Sequence, residues 1–488
     1  MSAPHRPGAR ELIAANVDPG TWTSWDVPVD LTGLDDAYLA DLARAREKAG
    51  TDEAVLTGRA RIRGHDVALI VGEFRFLGGS IGQATSERII AAVRRATAER
   101  LPLIAATSSG GTRMQEGTPA FVKMVDISRA VVAHKSAGLP YLVYLRHPTT
   151  GGVFASWGSL GHVSVAEPGA LIGFLGPAVY QALHNEPFPD GVQVAENLVE
   201  KGIIDAVVKP EDLAEITARA LDLFGSSTEP DLDPSSPVEL RPDADAWTSI
   251  QLTRRPDRPG VRELLRHAAS DVISLNGTQE GESGEALFTA LTSFRGVSCV
   301  LIGQDRRIQR TPTLLGPAAL RTARRGMAIA EQLRQPLVCV IDTPGADLSA
   351  AAEEGALAGE IARCLADMVQ LTVPSVSILL GEGCGGAALA LLPAGRVIAA
   401  ENAWLSPLPP EGASVIMHRT VDRAAEMARS QQVRAADLLK GGIVDAVVPE
   451  QPAAHKDPVG FANRVADEAM RQIQAQAIAT VPESGTLP

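Results

Sequence analysis

The chain has 488 residues, of which 45% are hydrophobic and 21% are charged, a composition that excludes a wholly disordered, collagen-like or coiled-coil protein. Lys and Arg number 45 against 58 Asp and Glu, which gives a net charge of −13. An acidic chain has no general attraction for phosphate backbones, and aromatic residues are only 4%, so we expect no nucleic-acid partner. The length predicts roughly two to four domains.

The N-terminus and the apolar runs contain no targeting signal. The run MSAPHRPGARELIAANV lacks the apolar core of a signal peptide. No charge-free apolar run reaches the roughly 18 residues that a membrane span needs. We therefore expect a cytoplasmic protein that makes no contact with a membrane.

The cysteines have the spacing of neither a zinc site nor a disulfide framework. They are Cys299, Cys339, Cys364 and Cys384. Three of the four lie in apolar runs, VSCVLI, LVCVID and IARCLA, where we expect small buried side chains. We predict no metal site.

The first half of the chain alternates helices with short apolar strands. The run SERIIAAVRRATAERL has apolar residues at helical spacing and leads into the strand LPLIAAT and the turn SSGGTRMQEG. A second helix is predicted around FVKMVDISRAVVAHKSAG, then the strand YLVYLR, the turn TTGGVFASWGSLG and the strand HVSVAEP. This alternation predicts an α/β fold built from βα units with right-handed crossovers.

A polar segment separates this half from the next. The run FGSSTEPDLDPSSPVELRPDADAW is rich in Ser, Pro and Asp and has almost no apolar periodicity, which is typical of a linker. We therefore predict an N-terminal domain over residues 1–224, a linker over residues 225–246 and a C-terminal domain over residues 247–488.

The second half repeats the first. The helix AALRTARRGMAIAEQL, the strand PLVCVID, the turn TPGADLS, a helix through AGEIARCLADMVQL, the strand SVSILLG and the turn EGCGGAALALLP follow in the same order. LPLIAATSSGG begins at Leu101 and its match QPLVCVIDTPG at Gln335. LPYLVYLRHPTTGG begins at Leu139 and its match VPSVSILLGEGCGG at Val373, which is the same spacing. KGIIDAVV and GGIVDAVV have nearly that spacing too. A period this long indicates two homologous domains and not a solenoid.

Pairs of glycines stand between a strand and a helix in both halves. They are Gly110–Gly111, Gly151–Gly152 and Gly385–Gly386. Without a Cβ, the backbone N–H groups there can approach a ligand closely, and a helix N-terminus adds free donors. Such donors form an oxyanion hole for a carbonyl oxygen that becomes negative. The alternative is that these glycines only make tight turns.

No side-chain motif for a nucleophile, a phosphate loop or a metal is present. GxxxxGK[ST] and GxSxG are missing, and no GxGxxG stands in a βαβ setting. His134, His147 and His162 could each act as a base, or could be solvated or capping residues. What remains is paired backbone donors, which suit chemistry whose difficult step is the stabilisation of an enolate oxygen.

Long stretches of the chain resemble a known family. FRFLGGSIG, SSGGTRMQEGTPAF, LPYLVYLRHPTTGGVFASWGSLGHVSVAEPGALIGFLGP and ENLVEKGIIDAVV resemble the carboxyltransferase β subunit of bacterial acetyl-CoA carboxylase. GPAALRTARRGMAIAEQL, QPLVCVIDTPGADLSAAAEEGALAGEIARCLADM, GEGCGGAALALL and AADLLKGGIVDAVVPE resemble its α subunit. The β-then-α order is similar to that of fused carboxyltransferases, including that of propionyl-CoA carboxylase. The resemblance implies tandem crotonase-like domains, the ClpP/crotonase ββα superhelix.

The resemblance also implies a reaction. A carboxyl group would move from carboxybiotin, held on a separate carrier protein, to the α-carbon of a short acyl-CoA, acetyl-CoA or propionyl-CoA. The acyl-CoA would lie in the first domain and biotin in the second, usually across a subunit interface. The implied partners are a biotin carboxylase or biotin carboxyl carrier subunit and further copies of this chain, as a dimer or hexamer. No AMKM-type biotinylation segment is present, which agrees with a separate carrier.

The same resemblance implies catalytic positions. Gly151 and Gly152 match the pair whose amides hold the thioester enolate oxygen. Gly386 and Ala387 match the pair that holds the biotin ureido oxygen. Released biotin anion would be the base for the α-proton, which would explain why no side-chain base was found.

Three further residues are implied for acyl-CoA binding. Gly110 and Gly111 match the SGG turn near the thioester. Arg113 follows that turn and would orient it or face a CoA phosphate; a structural ion pair is the equal alternative.

The chain departs from the family in several places. The β-type subunit normally begins with a four-cysteine zinc finger, and this chain has no cysteine before Cys299. The α-type turn GGSGG is GCGGA here, and DTPGxxPG is DTPGADLS, which places Asp347 and Leu348 on the biotin side. These changes leave open a non-catalytic assembly subunit. A biotin-linked decarboxylase that runs the reaction backwards is a further alternative, because the stabilised enolate is common to both directions.

Overall fold

The computed structural model describes residues 6–225, 230, 232, 245–309 and 314–479. The chain divides into two compact units between Asp222 and Leu223, and the short segment Gln279–Gly281 belongs to the first unit. The predicted linker, residues 225–246, lies outside the described residues except at a few positions, so it stays a prediction.

The first unit contains one eight-stranded sheet. Its strands are β1 (Thr23–Ser24), β2 (Val55–Ile62), β3 (His65–Gly72), β4 (Leu103–Ser109), β5 (Tyr141–Thr150), β6 (Val163–Ala166), β7 (Ile172–Gly173) and β8 (Ala206–Val207). The strand order is β1-β2-β3-β4-β5-β6-β8, and β7 pairs with the far end of β5.

The sheet of the second unit has the same topology. Its strands are β9 (Ala269–Leu275), β10 (Leu287–Phe294), β11 (Val297–Gln304), β12 (Leu337–Thr343), β13 (Ser375–Cys384), β14 (Arg396–Ala400), β15 (Trp404–Ser406) and β16 (Ala446–Val448). The order is β9-β10-β11-β12-β13-β14-β16, and β15 pairs with the far end of β13. The repeat found in the sequence is therefore a repeat of the whole sheet.

Helices follow the strands in both units. Those up to Phe224 are α1 (Ala9–Asn16), α2 (Asp36–Ala49), α3 (Gln83–Ala98), α4 (Gly117–Ser136), α5 (Pro177–His184), α6 (Ala195–Glu200) and α7 (Leu213–Phe224). Those of the second unit are α8 (Ala246–Thr253), α9 (Val261–Ala268), α10 (Pro317–Leu333), α11 (Ala350–Glu354), α12 (Leu357–Gln370), α13 (Gly385–Leu389), α14 (Pro410–His418), α15 (Ala424–Ser430), α16 (Ala435–Lys440) and α17 (Pro458–Ala479). Among the described residues, no helix has the length and apolar character to cross a membrane.

Antiparallel strands form one edge of each sheet, a feature that the predicted βα units did not include. β1, β2 and β3 are antiparallel, and the pairs from β3 to β6 are parallel. The hairpin β2–β3 turns through Arg63 and Gly64, where φ is 47° and 88°. The hairpin β10–β11 turns through Arg295 and Gly296, where φ is 50° and 78°. Positive φ at both central residues is the geometry of a type I′ turn, which fits the twist of paired strands.

Apolar residues at helical spacing bury the inner faces of α3 and α4. Ile89 and Val93 of α3 and Ile127 and Val131 of α4 are at most 1% exposed and belong to one core cluster. Burying each such side chain contributes about 1.5–3 kcal/mol. Every residue of β4 and of β12 is buried, as expected for parallel strands covered on both faces. The carboxyl ends of these strands lead into the glycine-rich turns.

Candidate active site

In the first unit, the structure brings the two predicted glycine pairs together. β4 ends at Ser109, and the Gly110 amide donates to the Gly78 carbonyl at 2.9 Å. The Gly111 amide donates to the Ser109 hydroxyl at 3.0 Å. A Cβ on Gly151 would lie 3.2 Å from the Gly111 Cα, so the two bends approach closely because neither glycine has a side chain.

The hydrogen bonds correct one of the predicted donors. Gly151 has φ of 64°, and its amide donates to the Phe174 carbonyl at 2.9 Å, so this N–H is not available to a ligand. The amides of Gly152 and Val153 have no acceptor among the described residues. The pair of free amides is therefore one residue later than predicted, because the carbonyl of Phe174, the residue after β7, accepts the hydrogen bond of the Gly151 amide.

The bend of the second unit has the same backbone. β13 ends at Cys384, and Gly385 has φ of 64°, the value found at Gly151 in the first unit. Gly386 and Ala387 lie in the first turn of α13, where amides have no acceptor within the helix. Neither amide has an acceptor elsewhere in the described part of the chain.

The repeat relates the two pairs of free amides. Gly386 and Ala387 follow Gly152 and Val153 at the same spacing that separates the matched segments of the two halves. Gly386 and Gly152 are half-buried, and Ala387 and Val153 are fully buried. Each unit therefore has one half-buried and one fully buried residue whose N–H is unpaired among the described residues, at the same place in its sheet.

The turn after β12 matches the SGG turn of the first unit. Gly345 has φ of 140°, and its amide donates to the Thr343 hydroxyl at 3.2 Å, as the Gly111 amide does to Ser109. Leu348, one of the departures from the family, is 83% exposed. Leu348 therefore lies on the surface beside the bend, and Asp347 next to it is partly exposed.

Arg113 is a structural residue, so its prediction as an acyl-CoA ligand was wrong. The side chain is 1% exposed, and its two terminal nitrogens donate to the Glu53 carboxylate at 2.8 and 2.7 Å. It also donates to the Ser80 carbonyl at 2.8 Å and to the Thr85 hydroxyl at 3.0 Å. All of its directions are occupied within the protein, which leaves no face for a phosphate.

The charge of this cluster is set by burial and pairing. Burial alone would raise the pKa of Glu53, but the hydrogen bonds and charge of Arg113 outweigh it and hold the pKa below its ordinary value. Burial, together with a hydrogen bond to Glu116, raises the pKa of Tyr38 to about 12. The cluster is thus an ionised pair with a neutral phenol beside it.

Sequence reasoning missed an acidic group next to the second bend. Glu382 lies two residues before Cys384, and its carboxylate accepts a hydrogen bond from Arg254 at 3.2 Å. Burial raises the pKa of Glu382, and Arg254, which also binds Glu411, lowers it in part. The signal was in the sequence: Glu382 is the one charged residue in the apolar run SVSILLGEGCGG.

The four cysteines are free and buried, including the three in apolar runs for which burial was predicted. Burial raises the pKa of Cys384 to about 12. Among the described residues, no group of three or more His, Cys, Asp or Glu side chains could hold a metal ion.

Known proteins resemble this chain over most of its length. A family model for the carboxyl transferase domain matches residues 9–483. The chain is 55% identical over 473 residues, 97% of its length, to a probable biotin-dependent acyl-coenzyme A carboxylase beta3 subunit of Mycobacterium tuberculosis, of which 95% is covered. It is 37% identical over 476 residues, 93% of its length, to the acetyl-coenzyme A carboxylase carboxyl transferase subunits beta/alpha of Salinispora tropica, of which 84% is covered.

A solved structure supports the fold. Transcarboxylase 12S, with methylmalonyl-coenzyme A and methylmalonic acid bound, aligns with a TM-score of 0.75 at 22% identity, over 99% of this chain and 91% of that one. The crotonase-like fold predicted in tandem from the sequence is thereby confirmed.

Proposed function

The chain belongs to the carboxyl transferase family of biotin-dependent acyl-CoA carboxylases, and we propose that it carboxylates a short acyl-CoA, acetyl-CoA or propionyl-CoA. Biotin on a separate carrier protein supplies the carboxyl group. The product would be malonyl-CoA or methylmalonyl-CoA. The support is the match over nearly the whole length of relatives with these names, together with a free amide pair in each unit.

The first amide pair acts on the acyl-CoA. Loss of the α-proton places negative charge on the thioester oxygen, and the N–H groups of Gly152 and Val153 donate to that oxygen. Each such donor in a site that excludes water contributes about 3–4 kcal/mol to the stability of the charged state. The carboxyl group would leave the ureido nitrogen as CO2 before this step, which frees that nitrogen to take the α-proton, and the electron pair at the α-carbon would then form the new C–C bond to CO2.

The second amide pair fits a ureido oxygen. Gly386 and Ala387 offer two adjacent donors and no acceptor, which suits a carbonyl oxygen that gains negative charge when its carboxyl group leaves. Gly386 is half-buried and therefore open on one side, and the next exposed side chain, Leu389, is apolar. These residues would hold and orient the ring; the proton from the α-carbon would go to the ring nitrogen that loses the carboxyl group.

The observation that carries the proposal is the repetition of one backbone arrangement. Gly151 and Gly385 have the same φ of 64°, and a serine or threonine hydroxyl holds the neighbouring glycine turn in both units. Two oxygens become negative in this reaction, one on each substrate. A non-catalytic subunit would have no need to keep free amides in both bends.

We also propose that the chain works as a dimer or hexamer with a biotin carboxylase or biotin carboxyl carrier partner. The helix α4 exposes Phe121, Val125 and Val132, which are 60%, 57% and 53% exposed and lie along one side of the helix. An apolar stripe of this kind is typical of a surface that is covered by another subunit. Transcarboxylase 12S is described as a hexamer assembly. Light scattering on the purified chain tests the oligomeric state.

The activity can be tested in the reverse direction, without the carrier. Purified protein is incubated with biotin methyl ester and malonyl-CoA or methylmalonyl-CoA, and release of acetyl-CoA or propionyl-CoA is followed by chromatography. We expect release that depends on both protein and biotin. A panel of longer carboxyacyl-CoA esters then measures chain-length preference. Folded protein that releases no acyl-CoA from any member of the panel would contradict the proposal.

A further inference from the structure

One buried glutamine in the second unit joins the two backbone segments that form its bend. Gln304 is the last residue of β11 and is 0% exposed. Its side-chain oxygen accepts a hydrogen bond from the Asp342 amide at 3.0 Å, and its side-chain nitrogen donates to the Ala387 carbonyl at 2.7 Å. Both ends of the side-chain amide are therefore used.

The two groups that Gln304 binds lie on opposite sides of the bend. Asp342 is the next-to-last residue of β12 and precedes the turn at Gly345. Ala387 lies in the first turn of α13, and its own amide is one of the two free donors. A hydrogen bond to the Ala387 carbonyl fixes the rotation of that part of the helix, and hence the direction of its N–H groups.

A second glutamine binds the next peptide group, on the carbonyl side of Asp342. The Gln309 nitrogen donates to the Asp342 carbonyl at 3.1 Å, and its oxygen accepts from the Thr343 hydroxyl at 2.5 Å. Thr343 in turn accepts from the Gly345 amide. A continuous series of hydrogen bonds thus runs from the glycine turn to the first turn of α13.

Among its described residues, the first unit has no counterpart of this link. Gly72 ends β3 just as Gln304 ends β11, and both strands have eight residues and follow the same two-residue turn. A Cβ on Gly72 would lie 2.7 Å from the Ser108 amide, so this place accepts no side chain. The glutamine link is therefore a property of the second bend and not a requirement of the fold.

We propose that Gln304 is a positioning residue for the biotin side of the reaction. It holds the Gly386 and Ala387 amides in the orientation that receives the ureido oxygen, and it touches neither substrate. This inference rests on the proposed function of the bend. It predicts that loss of the Gln304 hydrogen bonds affects biotin and leaves the binding of the carboxyacyl-CoA unchanged.

The test uses Gln304→Met, which keeps the length of the side chain and removes both hydrogen bonds. The matched control is Gln335→Met, since Gln335 is also buried, at 1% exposure, but precedes β12 at the opposite end of the strand from Asp342. We expect kcat/KM for biotin methyl ester to fall by about 10- to 100-fold in Gln304→Met, with the KM for the carboxyacyl-CoA within about twofold of wild type. Gln335→Met is expected to match wild type in both constants.

Amide hydrogen exchange gives a readout that needs no activity. In Gln304→Met, the peptide over residues 381–392 is expected to exchange faster than in wild type, and the peptide over residues 148–158 of the first unit is expected to be unchanged. Gln304→Leu serves as a second variant if Gln304→Met does not fold, because its side chain is also apolar and removes both hydrogen bonds. It should show the same faster exchange.

The outcomes separate this inference from the proposed function. Wild-type protein without any biotin-dependent release contradicts the proposed function, and the exchange data then decide whether Gln304 orders the bend. If wild type is active and folded Gln304→Met has an unchanged kcat/KM for biotin methyl ester, the inference about Gln304 is overturned and the proposed function is not. An equal rise in the KM for biotin methyl ester and in the KM for the carboxyacyl-CoA also overturns the inference, because a residue with a general structural role would have that effect.

Discussion

The two glycine-rich bends share a backbone path but are held in place by different groups. Gly151 and Gly385 both have φ of 64°. In the first unit, the neighbouring turn is fixed by a backbone bond from the Gly110 amide to the Gly78 carbonyl. In the second unit, the Gln304 side chain instead links the Asp342 amide to the Ala387 carbonyl. The duplicated fold has therefore kept the position of the free amides and changed the groups that support them.

The difference shows which interactions each bend depends on. The first bend depends on contact between glycines and on the buried ion pair of Arg113 with Glu53, which follows the SGG turn. The second depends on neutral side-chain amides, with Arg254 and Glu382 beside it. Substitutions at the first bend should therefore change stability strongly, and those at the second should change the orientation of its donors.

The largest expected effect is on the ion pair of the first unit. Arg113→Met leaves Glu53 buried without a cation, and we expect the free energy of unfolding of the first unit to fall by about 3–5 kcal/mol. Arg59→Met is the control, because Arg59 pairs with Asp66 where the side chains are 44% and 40% exposed, and such pairs contribute less than about 1 kcal/mol. Urea denaturation followed by tryptophan fluorescence measures both. A loss below about 1 kcal/mol in Arg113→Met would mean that the pair does not hold the turn.

A smaller effect is expected from filling the contact between the glycines. Gly151→Ala places a Cβ 3.2 Å from the Gly111 Cα in a backbone with positive φ. Gly50→Ala is the matched control, since Gly50 has φ of 68° and nothing within 4 Å, so it measures the left-handed conformation alone, about 1–2 kcal/mol. We expect Gly151→Ala to cost more than this and to lower kcat/KM for the acyl-CoA by on the order of 100-fold, because the bends move apart. Equal stability losses and normal kinetics would show that the contact is not tight.

The pH dependence of stability should differ between wild type and Glu53→Gln. The pKa of Glu53 is lower in the folded protein than in the unfolded chain, so its contribution to stability is complete above the unfolded pKa, about 4.3, and is lost as the pH falls through the folded pKa. Glu53→Gln should therefore unfold with a weaker dependence on pH below about 5.

The control for this acid titration is Glu47→Gln, an exposed carboxylate of α2. The free energy of unfolding of Glu47→Gln should depend on pH as that of wild type does. The pKa of Glu450 is also lowered, against the opposing effect of its burial, by the charge of Arg258 and by hydrogen bonds. Glu450→Gln should thus weaken the pH dependence of the second unit in the same way. If the free energy of unfolding depended on pH equally in wild type and in Glu53→Gln, the result would contradict an ion pair between Glu53 and Arg113.

Much of the fold could be predicted because it depends on local pattern. The apolar runs that form β4 and β12 are buried on both faces. Such runs are continuously apolar, so they can be recognised as buried strands without an alternation of polar and apolar residues. The glycines at Gly111 and Gly151 were recognisable because only glycine accepts positive φ readily. The hairpins were missed, although an Arg–Gly dipeptide marks the turn in both units, at Arg63 and Arg295.

The details of the site depend on residues far apart in the chain. Gly151 loses its free amide to Phe174, and Arg113 meets Glu53, which stands before β2 while Arg113 follows β4. Neither contact has a local signal. The repeat did contain one clue: when the two halves are superimposed by their matched segments, Gly386 and Ala387 match Gly152 and Val153, and not the pair that the family motif indicated.

The smallest expected effect is at Cys384, which stands where the family has a more permissive turn. Its side chain is 2% exposed, and burial raises its pKa to about 12, so iodoacetamide at pH 8 should label it only after unfolding. Because the thiol acts as a small apolar group, Cys384→Ala should cost no more than about 1 kcal/mol, and Cys384→Ser should cost more, since a buried hydroxyl needs a partner. Thermal melts rank the two variants. If serine were the better replacement, the site of the thiol would be polar, as it is in the first unit, where the matched residue is Thr150 and its hydroxyl donates to the Ser109 carbonyl.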